Sequence, residues 1–152
     1  MKLFNFSFPY KKYIVEDEET KEEKICYRPM LPCSVEWAGK KSPLTDGLLD
    51  SGADGVVLPL GLAEFLNLDL NPTNKKPMHI VGRKIERYIT KVNLILGRGG
   101  RLVTIPDVTV SIPTEEDNNT PVILGRNPIF ELYNITFVEA EKRFTMKAYK
   151  KQ

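Results

Sequence analysis

The sequence of 152 residues is poor in the groups that most often carry chemistry: one histidine, one tryptophan and two cysteines. A lone histidine excludes a zinc site built on paired imidazoles. With no serine or cysteine partner evident, His79 supports no catalytic triad and reads as a hairpin residue. Cys26 and Cys33 have no His or Cys neighbours at metal spacing and read as free thiols of a cytosolic protein. No apolar run approaches the roughly 20 residues that span a bilayer. Met1 to Tyr13 lacks the long apolar stretch and the small-residue cleavage site of a signal peptide. The net charge is only +2, so electrostatics alone implies neither a nucleic-acid nor a membrane partner. Gly97-Arg98-Gly99-Gly100 lacks the Lys-Ser/Thr ending and the following helix of a phosphate loop, and reads as a β-turn. No metal, no cofactor and a cytoplasmic location are expected.

What is present is β-rich. Eleven prolines and ten glycines punctuate short runs of Val, Ile, Leu, Phe and Tyr. The pattern predicts strands over 3–8, 11–16, 24–28, 31–37, 45–50, 55–59, 76–82, 85–97, 101–111, 121–124, 134–139 and 142–148. The acidic run Glu16 to Glu23 is expected at the solvated tip of an early hairpin. Two short helices are predicted. One spans Leu60 to Leu66. The other starts at Asn127, where Asn can cap and Pro128 fits the first helical position. These features predict one all-β domain over 1–152, closed or nearly so. Residues 1–40 would supply N-terminal strands and the acidic hairpin, and 41–150 the core.

One segment invites a chemical reading. Gly47-Leu48-Leu49 runs into Asp50-Ser51-Gly52, and Gly55-Val56-Val57-Leu58 returns at once to apolar residues. A carboxylate at the end of a buried strand is costly unless it is paired or used. Far downstream, Pro121-Val122-Ile123-Leu124 ends in Gly125-Arg126-Asn127. Two apolar strands that each end near a glycine could cross beside each other and hold that carboxylate.

Leu49-Asp50-Ser51-Gly52-Ala53-Asp54, together with Ile123-Leu124-Gly125-Arg126-Asn127, resembles the retropepsin-type aspartic proteases, the single-domain dimeric relatives of pepsin. The order and rough separation of the two motifs agree from about Pro32 to Lys147. The resemblance implies a closed acid-protease barrel with one or two short helices and a flap hairpin. It implies that Asp50 is the catalytic aspartate and that Ser51 bonds across the dimer. Gly52 would turn its carbonyl to substrate, and Asp54 would bind the substrate main chain. Arg126 would pair with Asp54, since a planar guanidinium can take a carboxylate at two points, and Asn127 would support the same corner. Ala53, Val57, Val81 and Ile123 would line apolar pockets. The stretch Lys76 to Ile89, with Gly82 between two extended arms, would be the flap, although it has one glycine and a basic Arg83-Lys84 where retroviral flaps are glycine-rich.

The chemistry sets its own requirement. Hydrolysing a peptide bond without metal or covalent nucleophile needs one carboxylate to take a proton from water and one acid to give a proton. Two carboxyl groups about 3 Å apart cannot both ionise, so they share one proton and divide these roles. The chain has a single Asp-Ser-Gly; Asp46-Gly47 and Asp69-Leu70 lack the hydroxyl and glycine. The second aspartate must come from another copy across a two-fold axis. The expected function is therefore a homodimeric aspartic endopeptidase acting on peptides or proteins. The alternative is a non-catalytic peptide-binding or dimerisation module of the same fold.

Overall fold

A computed structural model describes residues 1–71, 74–80, 82–115 and 120–150. In chain order the elements are β1 (Phe6–Pro9), β2 (Lys11–Glu16), β3 (Glu23–Arg28), β4 (Met30–Trp37), β5 (Lys40–Lys41), β6 (Thr45–Leu49), β7 (Val56–Val57) and α1 (Leu60–Phe65). There follow β8 (Lys75–Ile80), β9 (Arg83–Arg98), β10 (Arg101–Pro113), β11 (Val122–Leu124), α2 (Arg126–Phe130), β12 (Tyr133–Val138) and β13 (Arg143–Ala148). Each predicted strand has its counterpart. The run at 55–59 shortens to Val56–Val57, because Pro59 has no N–H to give a ladder and opens α1.

The main sheet runs β5-β4-β6-β11-β7-β10-β9-β8, and β4 also pairs with β9. That extra pairing closes β4, β6, β11, β7, β10 and β9 into a six-stranded barrel, which removes the open edges of those strands. The strand that closes it, β4, comes from the first forty residues. It is buried continuously from Met30 to Val35, as expected of a strand covered on both faces. Inside the barrel, Val92, Leu94 and Leu96 of β9 face Val103, Ile105, Val108 and Val110 of β10. The inward residues of β10 shift parity between Ile105 and Val108. A bulge at Pro106-Asp107 absorbs the extra residue: Pro106 has no N–H to give the ladder, and Asp107 takes φ +53°.

A second, three-stranded sheet, β1-β13-β12, joins the chain's beginning to its end. Phe6, Tyr133, Phe144 and Met146 are buried in the common core. Arg143 Nη2 donates to Ser7 Oγ at 2.8 Å, and the Ala148 N–H to Asn5 Oδ1 at 2.8 Å. The acidic run forms the tip of the separate β2–β3 hairpin, where Asp17 Oδ1 accepts the N–H groups of Glu19 and Thr20. Those two bonds hold the Asp17 carboxyl below its usual range.

Helix α1 ends in a defined cap. The Leu68 N–H bonds the Ala63 carbonyl and the Asn67 N–H the Glu64 carbonyl, while Asn67 takes φ +52°. This is the paired-bond C-terminus that asparagine tolerates, and it turns Leu68 back into the core. In α2, Asn127 is extended (φ −103°, ψ 120°), so regular helical backbone begins only after it, as the Asn-Pro pair predicts. No helix among the described residues is long and apolar enough to cross a membrane.

Candidate active site

The two sequence motifs meet. Strand β11 lies between β6 and β7. It runs parallel to β6 in the register Gly47 to Val122, Leu48 to Ile123 and Leu49 to Leu124, and antiparallel to β7 at Ile123 and Val57. The chain thus leaves β6 at Asp50, loops over the end of β11 and returns as β7. A parallel neighbour inserted between two strands that are close in sequence forces that loop to stand clear of the sheet.

Backbone hydrogen bonds fix the loop. The Asp50 N–H bonds the Leu124 carbonyl at 3.1 Å, and the Ala53 N–H the Asp50 carbonyl at 3.2 Å. The Gly52 N–H donates to Asp50 Oδ1 at 2.9 Å and orients the carboxylate. From the other motif, the Arg126 N–H bonds the Ala53 carbonyl and the Asn127 N–H the Asp54 carbonyl, each at 2.9 Å. Gly125 makes this approach possible. A Cβ there would stand 2.2 Å from the Gly55 carbonyl oxygen and 2.7 Å from that of Ala53, contacts no real side chain makes. Gly47, one strand back, likewise leaves room for Leu124.

The Arg126 guanidinium donates to Asp54 Oδ1, the expected pair. Both side chains are exposed, Asp54 by 94%. Exposed pairs of this kind contribute at most about 1 kcal/mol, so the backbone bonds of residues 126 and 127 hold the corner. Arg126→Ala is expected to lower unfolding free energy by less than about 1 kcal/mol in urea titration. A larger loss would make the side-chain pair structural.

Asp50 is half-buried rather than enclosed, because it lines an open cleft of about 1090 Å³. Ala53, Asp54, Val57, Ile123 and Asn127 line the same cleft. Gly52 also borders it and is otherwise exposed, while Ser51 is exposed and outside the lining. The wall opposite is the β8–β9 hairpin, in register from Lys75 with Tyr88 to Ile80 with Arg83. Gly82 at its tip takes φ +71° and is exposed. Met78 and His79 of this hairpin reach the cleft. Val81, expected to line a pocket, lies outside the described residues.

Sequence reading singles out this hairpin as the expected flap but not which residues of β9 face the cleft. Alternate residues of β9, namely Arg83, Ile85, Arg87 and Ile89, face the cleft, on the strand face opposite Val92, Leu94 and Leu96. The period-2 pattern from 83 to 89 was the available signal, but its two arginines hid it. Arg83 Nη2 meets both carboxylate oxygens of Glu115 and ties the hairpin tip to the segment after β10.

Cys33 is fully buried, and burial, with the Asp46 charge adding to it, pushes its thiol up to about 12, far from a thiolate nucleophile. Among the described residues no three His, Cys, Asp or Glu side chains cluster as metal ligands.

No family profile matches the chain, and no curated protein matches it in sequence. Solved structures do match it in shape. A retropepsin-like aspartic protease from Rickettsia conorii aligns over 96% of this chain and 94% of its own, at 12% identity and a TM-score of 0.50. The EIAV protease complexed with the inhibitor HBY-793 aligns over 78% and 94%, at 20% identity and a TM-score of 0.46. The simian foamy virus (mac) protease aligns over 68% and 93%, at 16% identity and a TM-score of 0.41. The chain has the retropepsin-like fold that its paired motifs predict.

Proposed function

We propose that the chain is an aspartic endopeptidase that works as a homodimer, with Asp50 of each copy meeting across a two-fold axis. The observation that carries this reading is the position of Asp50. It stands on a loop pinned by both motifs and lines a cleft large enough for an extended peptide. The single Asp-Ser-Gly of the sequence supports the need for a second copy. So does the exposure of Ser51, Gly52, Asp54 and Arg126 around it, which leaves the loop free to meet another.

In the reaction, water lies between the two carboxyl groups, which hold one proton between them. The ionised carboxylate takes a proton from the water as its oxygen attacks the scissile carbonyl. The protonated one gives its proton to the carbonyl oxygen, and a tetrahedral gem-diol forms. Collapse of the diol breaks the C–N bond. The proton held by the first carboxylate passes to the leaving nitrogen, and the second recovers its own from the diol. No covalent intermediate forms and no cofactor is needed. The Ser51 hydroxyl bonds across to the partner loop. The Gly52 carbonyl and Asp54 receive the substrate main chain, and Ala53, Val57 and Ile123 take apolar side chains. The hairpin tipped by Gly82 closes over the bound peptide and excludes water.

The test is concentration. Specific activity on a peptide library should rise as dilute protein is concentrated through the monomer–dimer transition seen by sedimentation velocity. Cleavage by a strict monomer would overturn the two-chain mechanism. The ion pair that joins Arg83 at the hairpin tip to Glu115 is the observation behind a second reading, a non-catalytic peptide-binding module, although an exposed pair holds the tip only weakly. That module would bind peptides and leave them intact.

A further inference from the structure

We infer that Arg87 makes the cleft select peptides with an acidic side chain at one position of the bound segment; the inference deepens the peptide-hydrolysis reading and rests on it. Arg87 projects from β9 between Ile85 and Ile89, two apolar neighbours on the same cleft-facing side. Its guanidinium is fixed, because Nη1 donates to Ser111 Oγ at 2.8 Å. Its Nε is enclosed and meets no acceptor among the described residues.

Two other arginines in or beside the cleft already have carboxylate partners. Arg83 is paired with Glu115, and Arg126 with Asp54. Asp107 also lines the cleft, but it lies four residues along β10 from Ser111, roughly 13 Å at the usual strand rise. Among the described residues no carboxylate forms an ion pair with Arg87. A guanidinium partly withdrawn from water with only a neutral hydroxyl partner is an unbalanced charge. An anion arriving at its open side would meet a preorganised planar donor, which suits a carboxylate better than any neutral group does. A Glu or Asp side chain of the substrate is the group complementary to that donor.

The test uses the full-length protein and peptides that differ only as Glu against Gln, the substitution being moved through each position flanking the cleaved bond. At one position kcat/KM should favour Glu by at least about tenfold, the effect of a charge-assisted hydrogen bond over a neutral one. Arg87→Met and Arg87→Gln should both bring that ratio to about one. A wild-type ratio near one at every position overturns the inference and needs no folded variant. A preference that survives both substitutions overturns it as well. Binding of the same peptides to Asp50→Asn, read by fluorescence anisotropy, separates this inference from the reading beneath it. If wild type cuts nothing while Asp50→Asn still prefers Glu peptides, hydrolysis fails and the Arg87 selectivity stands. If peptides are cut with no Glu preference, hydrolysis stands and the Arg87 selectivity fails.

Discussion

Replacing Asp50 by Asn is expected to reduce peptide cleavage by about a thousandfold or more, with little change in stability. In the proposed mechanism the size follows from the loss of the group that takes a proton from water and of the acid that returns it, a step worth about 10²–10⁴ on its own. The fold should survive. The interaction that orients the side chain is the Gly52 N–H donating to Asp50 Oδ1, and an asparagine oxygen can accept it equally well. Thermal unfolding should therefore be near that of wild type while the rate collapses. If each site takes one aspartate from each chain, as proposed, the variant should also poison wild type. Adding it in excess should lower activity as mixed dimers form, and the residual activity should follow the fraction of pure wild-type dimers. Cleavage that persists in Asp50→Asn would move the chemistry to other residues. Addition of the variant without inhibition would remove the two-chain site.

Gly125→Ala is expected to cost about 3 kcal/mol or more and to abolish activity with it. The added methyl group would lie 2.2 Å from the Gly55 oxygen, 2.8 Å from the Gly55 nitrogen and 2.7 Å from the Ala53 oxygen. All three are backbone atoms, so no side-chain rotation relieves the clash. Relief requires residues 125–127 to separate from the Asp50 loop. That would break the bonds from the Arg126 and Asn127 N–H groups to Ala53 and Asp54. The measurement is the urea midpoint of the variant beside its peptidase rate. A variant with wild-type stability would mean that the loop can shift without loss, against the close approach seen here.

Much of the strand pattern was legible because each strand buries one face or both, and burial writes a period into the sequence. In β10 even the bulge is written there. Val103 and Ile105 are followed by Val108, Val110 and Ile112, a spacing of three where alternation calls for two, with Pro106 between. The two-residue β5 carried no such signal, since both of its lysines are exposed. That Arg83 and Arg87 face the cleft was missed for a related reason. A polar side chain facing a cleft looks, in sequence, like one facing solvent.

By itself the sequence determined that the chain is β-rich with short helices, and that it owns one Asp-Ser-Gly and one downstream apolar-Gly-Arg-Asn. Local propensity, turn residues and hydrophobic period are properties of neighbours along the chain, so one dimension holds them. Only the tertiary structure decided that β4 closes the barrel against β9, that β11 inserts between β6 and β7, and that Gly125 touches the Asp50 loop. Those contacts join residues some 60 to 75 positions apart, and no local pattern records them. They arise because backbone donors and acceptors removed from water must find partners wherever the chain can bring them. The single Asp-Ser-Gly remains the point where both meet. Its count is read from the sequence, and its place in the cleft from the fold.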